Sequence, residues 1–497
     1  MASTKLARTI IRDLIEHGIT DFVLSPGSRN APLSIALYEA EQRGLVKLHI
    51  RIDERTAGFF ALGLTKAGNR PAALVCTSGT AVANYYPAFL EAFHSAQPLL
   101  VLSADRPARL RQTGANQTTN QVNLFNCGAF YDLSEANAQY QLSSFGPTHI
   151  NVQFDEPLIP SESDLAQQNW LDGLVSKEIP SVKNPQEEFV VPEGKGILII
   201  GHDGVDVSDF ATQLGVPVIA ENPLSYASAV AHASLFGQNL DIDWAVVVGR
   251  TTLSRSTNAL IAKAKSVYVI DPRAHAIDPK RTATKIFSSV PKISGSAAKW
   301  TLASEFMEIN DWSEPAVAQT IAAALPMSST LYLASSRPIR DFEAFARPRD
   351  GVEVFANRGL AGIDGNISTA MGIAAKRDCT YAVLGDLAFL HDLTALVNKS
   401  EVKLKLIVIN NNGGGIFSTL PQAQVAGFER IFGTPHNQDI FRIASSFGVP
   451  ATEIEDLKGL KAFMSAPTRL EIAILQMPDR SSNADLIREL AKRVNYR

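Results

Sequence analysis

The chain has few cysteines, no excess of basic residues and no long apolar run, and each absence excludes a class of protein. Its three cysteines, Cys76, Cys127 and Cys379, are widely spaced without a CxxC pair, which argues against a disulfide framework or a zinc site. A net charge of −4 lacks the positive field of nucleic-acid-binding proteins. No run approaches the roughly 20 apolar residues of a membrane span, and residues 1–18 have the spacing of an amphipathic helix. We therefore expect a cytoplasmic protein with no nucleic-acid partner.

Short runs of valine, isoleucine and leucine recur along all 497 residues and are typical of parallel strands buried on both faces. These runs lie at residues 72–76, 99–103, 150–152, 197–200, 245–248, 267–270, 331–334, 381–384, 404–409 and 470–475. Helical patterns at 84–94 and 393–399 fall between them. The alternation predicts an α/β protein built from doubly wound parallel sheets.

Two polar stretches, residues 160–196 and about 288–314, interrupt this alternation and are typical of domain connectors. They predict three α/β domains, at 1–175, 190–310 and 315–497. The central domain has no G-x-G-x-x-G turn, which disfavours a dinucleotide there. Its arginines could hold an anionic regulator, although a solvated face is the simpler interpretation; they are Arg250, Arg273 and Arg281.

The sharpest local pattern lies in the C-terminal third, where one apolar run ends in Gly385 and Asp386 and the next continues into Asn411 and Gly413. Because the carboxyl ends of parallel strands share one edge of a sheet, we expect these residues to lie together. A carboxylate, an amide oxygen and a carbonyl oxygen suit Mg²⁺, and glycine admits a diphosphate. Each motif alone is also typical of a turn. Together, 25 residues apart, they favour a metal and diphosphate site.

The paired motifs resemble those of thiamine-diphosphate-dependent enzymes, in which Gly-Asp-Gly is followed downstream by Asn-Asn. The resemblance implies that Asp386, Asn411 and the carbonyl of Gly413 hold Mg²⁺, or Mn²⁺, and that Gly385 and Leu387 adjoin the bound thiamine diphosphate. Leu387 replaces the second glycine, a departure that suits one branch of the family. The family also implies pyrimidine-binding, central and diphosphate-binding domains in that order. A homodimer or homotetramer would hold the cofactor between subunits.

The resemblance requires a glutamate in the N-terminal domain, and Glu54 directly follows the strand-like run at 48–52. It implies that this carboxyl group bonds to the aminopyrimidine ring and activates the cofactor, with desolvation keeping the acid sufficiently protonated. By itself, Glu54 is equally compatible with an exposed helix start.

Further landmarks are closely similar to the menaquinone-pathway branch of this family. They lie at residues 25–33, 76–81, 103–107, 114–117, 335–340, 357–359, 362–365 and 416–418. That branch decarboxylates 2-oxoglutarate and adds the four-carbon product to isochorismate. The resemblance therefore implies these two small molecules as partners.

Both substrates are dicarboxylates, and guanidinium groups bind carboxylates through two hydrogen bonds. Carried over by position, the substrate-binding residues are Ser28, Arg29, Arg106, Gln117, Ser336, Arg340 and Arg358. The implied catalytic residues are Glu54, Arg29, Arg106, Gln117, Arg340 and Arg358, and the apolar walls beside the cofactor are Ile416, Phe417 and Leu420. Surface, turn or core positions explain each of them equally simply. Lys280 and Arg281 remain alternatives for a basic residue from the central domain.

Two other functions remain open at this stage. An acetolactate-type enzyme of the same family would use a 2-oxo acid with one carboxylate, and a regulatory subunit would bind the cofactor without catalysis. No His-His pair accompanies the N-terminal landmarks. The histidine nearest the metal motif in sequence is His391, which is as compatible with a structural role as with a catalytic one.

Overall fold

The structure is a computed structural model that describes residues 2–68, 70–180, 185–273, 278–397 and 401–497. Its chain forms two compact units. The first unit comprises Met1–Val182, Gly359–Asp378 and His391–Lys403, and the second comprises Lys183–Arg358, Cys379–Leu390 and Leu404–Arg497. The three-domain division stays a prediction. Every strand pair within the named sheets is parallel, and the predicted α/β class is confirmed.

The secondary-structure elements follow one another as strands and helices along the whole chain. The strands are β1 (Asp21–Leu24), β2 (Lys47–Ile50), β3 (Ala73–Cys76), β4 (Leu100–Asp105), β5 (Ala129–Leu133), β6 (Thr148–Gln153), β7 (Glu188–Val190), β8 (Gly196–Ile200), β9 (Val218–Ala220), β10 (Trp244–Val248), β11 (Ser266–Ile270), β12 (Ala283–Phe287), β13 (Lys292–Ser294), β14 (Ser329–Leu333), β15 (Val352–Phe355), β16 (Thr380–Gly385), β17 (Leu404–Asn410), β18 (Ala451–Ile454) and β19 (Glu471–Gln476). The helices are α1 (Ala2–Glu16), α2 (Ala31–Gln42), α3 (Glu54–Gly68), α4 (Thr80–Asn84), α5 (Tyr86–His94), α6 (Glu162–Ala166), α7 (Ser208–Leu214), α8 (Ala233–Phe236), α9 (Arg255–Lys263), α10 (Glu314–Ala324), α11 (Arg337–Phe345), α12 (Asn366–Ala374), α13 (Asp386–His391), α14 (Ile440–Ser446), α15 (Leu457–Ser465) and α16 (Arg480–Arg493).

The first unit contains a six-stranded sheet in the order β2-β1-β3-β4-β6-β5. Apolar side chains of α1 and α2 share a core cluster with β1, β3, β4 and β6. Helix α12 packs against α3, where Gly63 and Gly372 allow the two backbones to approach closely. A Cβ atom on Gly63 would lie 2.2 Å from the Thr369 carbonyl oxygen. This packing fixes the helix that begins at Glu54.

The second unit contains a five-stranded sheet in the order β12-β11-β10-β8-β9 and a six-stranded sheet in the order β15-β14-β16-β17-β19-β18. Strands β16 and β17 are neighbours, and their residues are almost entirely buried because parallel sheets are covered on both faces. The two stretches predicted as connectors pair with each other, since β7 and β13 form a small parallel sheet.

One helical prediction is confirmed and one differs from the structure. The pattern at 84–94 corresponds to α5 (Tyr86–His94), which begins after Tyr85 because Pro87 favours the first turn of a helix. The pattern at 393–399 forms one 3₁₀ turn, Leu393–Leu396, and residues 398–400 lie outside the described chain. The N-terminal helix is confirmed as α1. Within the described ranges we find no helix with the length and apolarity that a membrane span needs.

Candidate active site

Glu54 opens helix α3 at the carboxyl end of the sheet in the first unit. It is partly exposed, as a helix-start glutamate can be. Its neighbour Asp53 accepts hydrogen bonds from Arg55 and from Thr394 Oγ1, the latter at 2.7 Å, which fixes the turn into the helix. Burial and then the charge of Glu54 raise the pKa of the Cys76 thiol at the end of β3. The Glu54 carboxylate therefore influences the thiol of Cys76, at the end of β3, through its charge.

Arg29, Arg106 and Gln117 converge on the turn that follows β3. Arg106 Nη1 donates to Ser78 Oγ at 3.3 Å and to the Gln117 carbonyl at 3.0 Å, and Gln117 Nε2 donates to the Ser78 carbonyl at 3.0 Å. The Arg29 backbone N–H donates to Thr77 Oγ1 at 3.3 Å. Burial and the nearby charge of Arg29 lower the pKa of Arg106. Two guanidinium groups thus converge here, and Glu156 Oε1 lies 3.3 Å from Arg29 Nη1. Ser28 lies exposed beside Arg29.

A buried amide network behind this turn was missed by the sequence analysis. Gln121 Oε1 accepts a hydrogen bond from the Gly79 backbone N–H at 2.9 Å, and its Nε2 donates to Asn151 Oδ1 at 2.8 Å. Asn151 in turn donates to Asp105 at the end of β4 at 3.0 Å. The network holds the turn in place. Its buried amides could be recognised only once the strands that carry them were paired.

In the second unit, Asp386 stands at the junction of β16 and α13 and is 2% exposed. Its Oδ1 accepts a hydrogen bond from the Leu387 N–H at 2.7 Å, and its Oδ2 accepts from the Gly413 N–H at 2.8 Å and from His436 Nε2 at 3.2 Å. Burial raises the pKa of Asp386 against these three donors. A carboxylate offers about four lone-pair positions, so one remains for a cation.

Asn411 and Gly413 complete a donor set that fits a metal ion. Asn411 Nδ2 donates to Glu314 Oε1 at 2.8 Å, whereas the buried Asn411 Oδ1 accepts no hydrogen bond from the residues described. Gly413 has φ of +133°, and a Cβ there would lie 2.1 Å from the Gly433 carbonyl oxygen, so only glycine fits. The three oxygen donors match the preference of Mg²⁺. Within the described ranges, no three His, Cys, Asp or Glu side chains form a metal cluster of their own.

The remaining residues predicted to adjoin the cofactor lie near this edge in sequence and in the fold. Gly385 ends β16, and a Cβ added to it would meet no atom within 4 Å. Ile416 and Phe417 lie in the 3₁₀ turn Gly415–Thr419, directly before Leu420, and all three side chains are partly exposed. Apolar groups are therefore available beside the predicted metal ligands.

The two arginines predicted to bind substrate in the second unit differ in exposure and in ion pairing. Arg340 Nη1 donates to the Ser336 carbonyl at 2.6 Å, and burial together with Arg337 and Arg358 lowers the pKa of Arg340 to about 10. Arg358 is 2% exposed and donates to Glu221 Oε1 at 3.0 Å. Arg340 thus remains partly accessible, whereas Arg358 is held in a buried ion pair.

Two groups that contact Asp386 or Asn411 were not predicted, His436 and Glu314. His436 Nδ1 accepts from the Gln438 N–H at 2.9 Å, so its Nε2 carries the proton that points to Asp386. Glu314, 1% exposed at the start of α10, accepts from Asn411, and burial raises its pKa. No signal in the sequence marks either residue, because they are 50 and 97 residues from their partners. His391 is the histidine nearest the motif in sequence. It is half exposed, and its Nε2 lies 3.9 Å from Asp364 Oδ1.

The basic residues of the central sheet show no common site among the residues described. Arg273 forms a buried two-point ion pair with Asp271. Lys280 and Arg281 are exposed in the turn before β12, and Arg250 is partly buried next to β10.

Two family models match the chain. The model described as "Thiamine pyrophosphate enzyme, N-terminal TPP binding domain" matches residues 4–124, and "Thiamine pyrophosphate enzyme, C-terminal TPP binding domain" matches residues 340–468. These matches contain Glu54 and Asp386, respectively. The class of protein is therefore that of the thiamine pyrophosphate enzymes.

Curated relatives narrow this class. The 2-succinyl-5-enolpyruvyl-6-hydroxy-3-cyclohexene-1-carboxylate synthase of Thermobifida fusca is 37% identical over 99% of each chain. The protein of the same name from a Nocardioides species is 38% identical over 94% of this chain and 93% of the relative. The chain belongs to the 2-succinyl-5-enolpyruvyl-6-hydroxy-3-cyclohexene-1-carboxylate synthase family.

Solved structures agree on the fold. Benzoylformate decarboxylase from Polynucleobacter necessarius has a TM-score of 0.67 at 15% identity, covering 96% of this chain and 99% of that one. The 4-hydroxybenzoylformate decarboxylase of Rhodococcus jostii, described as thiamine diphosphate-dependent, has a TM-score of 0.69 at 13% identity and the same coverage. At these identities, the likeness concerns the fold alone.

Proposed function

We propose that this enzyme decarboxylates 2-oxoglutarate with thiamine diphosphate and adds the resulting four-carbon unit to isochorismate. The product would be 2-succinyl-5-enolpyruvyl-6-hydroxy-3-cyclohexene-1-carboxylate, in menaquinone biosynthesis. The observation that carries the proposal is the meeting of Asp386, Gly413 and Asn411 at one strand edge, where Asn411 Oδ1 has no hydrogen-bond partner among the described residues. Similarity to synthases of that name over almost the whole chain selects the branch.

The metal would be Mg²⁺, with Mn²⁺ able to replace it. Asp386, Asn411 Oδ1 and the Gly413 carbonyl would hold it, and Gly385 and Leu387 would adjoin the diphosphate. Ile416, Phe417 and Leu420 would exclude water from the reacting end of the cofactor. When bound, thiamine diphosphate supplies a carbon nucleophile that attacks a 2-oxo acid and accommodates the charge left by the loss of carbon dioxide.

Glu54 would form a hydrogen bond to a ring nitrogen of the aminopyrimidine and hold a proton at that nitrogen. Its position at the first turn of α3 suits this role, because the packing of Gly63 against α12 fixes the helix. A carboxyl group that shares a proton must be shielded from water. We therefore propose that Glu54 is covered when the cofactor is bound.

The substrate carboxylates would be bound by Ser28, Arg29, Arg106 and Gln117 from the first unit and by Ser336 and Arg340 from the second. Guanidinium groups stabilise anionic substrates through charge-assisted hydrogen bonds. Arg358 would add positive potential beside Arg340 while it stays paired with Glu221.

We further propose three domains at 1–175, 190–310 and 315–497 and an assembly that is a homodimer or homotetramer. The family resemblance implies that Glu54 of one subunit and Asp386 of another act on the same cofactor. The three cysteines are free, which suits the cytoplasm that we propose as the compartment.

The test is to supply purified protein with thiamine diphosphate, Mg²⁺, 2-oxoglutarate and isochorismate and to follow both substrates. We expect isochorismate to be consumed only when 2-oxoglutarate is present. The matched control replaces 2-oxoglutarate with pyruvate, which carries one carboxylate fewer. Turnover of pyruvate and not of 2-oxoglutarate would indicate an acetolactate-type enzyme. No turnover by protein saturated with thiamine diphosphate and Mg²⁺ would indicate a regulatory subunit. Either result would reject the proposal.

A further inference from the structure

We infer that Glu314 is a positioning residue that sets the orientation of the Asn411 side-chain amide for the metal ion. The inference rests on the proposed role of Asn411 as a metal ligand. It concerns a residue that lies 97 positions away from Asn411 in sequence and at the start of a different element, α10.

An amide side chain has a donor end and an acceptor end, and only the acceptor can bind a cation. Rotation by half a turn about the last bond exchanges the two ends with little change in shape. In the structure, the donor end of Asn411 points to Glu314 Oε1 at 2.8 Å. The acceptor end, Oδ1, is consequently left buried and without a partner among the described residues.

Exchanging the two ends would place the Asn411 oxygen against Glu314 Oε1, which accepts a hydrogen bond in the structure, so the contact would join two acceptors. It would also turn an N–H group toward the metal position. Both changes are unfavourable, so the contact with Glu314 selects the orientation that binds a cation. A partner of this kind commonly orients a metal ligand from outside the coordination sphere.

The Glu314 side chain is buried beside a cation. It is 1% exposed, and its Oε2 lies 3.8 Å from Arg337 Nε. Arg337 is itself paired with Asp341 on the same helix, α11. The other carboxyl oxygen, Oε1, is the one that accepts from Asn411.

The experiment measures Mn²⁺ binding by electron paramagnetic resonance, in which free Mn²⁺ gives the signal, at saturating thiamine diphosphate. Glu314→Met keeps the length of the side chain and removes the acceptor, and we expect about 10- to 100-fold weaker Mn²⁺ binding. Glu314→Gln can accept from the Asn411 amide but can also donate to Asn411 Oδ1, so we expect a smaller loss of affinity than for Glu314→Met. Affinity within twofold of wild type for Glu314→Met, or a larger loss for Glu314→Gln than for Glu314→Met, would overturn the inference.

Thermal unfolding of the metal-free variants separates positioning from a purely structural role. The matched control is Glu343→Met, which removes a buried carboxyl group that faces Glu221, Arg358 and Thr252. We expect the control to lower the unfolding temperature without weakening Mn²⁺ binding. Equal losses of Mn²⁺ affinity in Glu343→Met and Glu314→Met would overturn the inference.

An exchange of the two side chains provides an independent test if Glu314→Met does not fold. Asn411→Asp alone places two carboxylates together and should weaken Mn²⁺ binding. Adding Glu314→Gln reverses the direction of the hydrogen bond, with the new amide as donor, and should restore at least about tenfold of the lost affinity. No restoration would overturn the inference.

Asn411→Ala distinguishes this inference from the proposed function. If Asn411→Ala binds Mn²⁺ as wild type does, the ligand assignment is wrong. If Asn411→Ala loses Mn²⁺ while Glu314→Met keeps it, only the positioning role is wrong.

Discussion

The arginines at the polar strand edges of the two units differ in whether a carboxylate neutralises their charge. In the first unit, Arg106 is partly exposed and bonds to a carbonyl and a hydroxyl group, so its positive charge is not neutralised by a carboxylate at that contact. In the second unit, Arg358 and Arg337 are buried and each contacts a carboxylate. The contact of Arg106 thus leaves its charge available for an anionic ligand, whereas Arg358 and Arg337 are already paired with carboxylates.

The contrast shows that residue type alone does not define a substrate-binding arginine. A guanidinium group held by neutral oxygen atoms can still pair with a carboxylate, whereas a buried ion pair has already done so. Substitutions in the two units should therefore separate binding defects from stability defects.

The largest effect should come from Asp386→Ala in the second unit. The substitution removes the acceptor of the Leu387 and Gly413 N–H groups and the only carboxylate of the proposed donor set. We expect metal-dependent binding of thiamine diphosphate, measured by calorimetry, to weaken by more than about 100-fold. Asp378→Ala, at an exposed aspartate, is the control and should bind normally.

Glu54→Gln in the first unit should separate catalysis from binding. The amide keeps the shape of the side chain but cannot share a proton with the cofactor ring. We expect thiamine diphosphate to bind near normally and turnover to fall by about 10²- to 10⁴-fold. Steady-state rates together with cofactor titrations check this, and turnover close to wild type would show that Glu54 does not activate the cofactor.

Arg358→Ala should act chiefly on stability. It leaves the fully buried Glu221 without its guanidinium partner, which costs about 3–5 kcal/mol when a buried pair is broken. Urea unfolding of the metal-free protein measures the change. If the variant is as stable as wild type, Glu221 must pair with another group or take up a proton without lowering the free energy of unfolding.

Arg106→Ala should act chiefly on substrate binding. Loss of one charge-assisted hydrogen bond, about 1.5–3 kcal/mol, corresponds to roughly a 10- to 100-fold higher KM for a dicarboxylate. We expect little change in urea unfolding, since no buried carboxylate loses its partner. A KM that stays the same, or a loss of stability equal to that of Arg358→Ala, would remove the distinction between the two edges.

A separate effect concerns the pH dependence of stability in the first unit. Burial raises the pKa of Asp392 from 3.8 to about 7, against hydrogen bonds from Ser368 and the charge of Arg51. The folded state therefore holds a proton that the unfolded state releases. The stabilisation is complete below about pH 4 and is lost as pH rises through 7, by at most about 1.4 kcal/mol per pH unit.

Asp392→Asn removes this titration while it keeps an oxygen that can accept from Ser368. The difference in unfolding free energy between wild type and variant should change over this pH range, as urea titrations at several pH values would reveal. A difference that is constant with pH would contradict the raised pKa.

Local patterns predicted the strands well, because a parallel strand covered on both faces must be apolar throughout, as β17 is. The metal motif was predictable for a similar reason: Asp386 and Asn411 follow adjacent strands, so the topology of the sheet brings them to one edge. The pairing of β7 with β13 was missed, since it depends on residues about a hundred positions apart.

The sequence alone determined the α/β class, the candidate metal ligands and the resemblance to thiamine-diphosphate enzymes. The alternation of strands and helices along the chain and short motifs are both local properties. Only the tertiary structure decided that Arg358 is paired with Glu221, that His436 and not His391 contacts Asp386, and that Asn411 donates a hydrogen bond to Glu314. The physical reason is that burial and hydrogen-bond direction depend on neighbours brought together by folding, and no spacing along the chain encodes them.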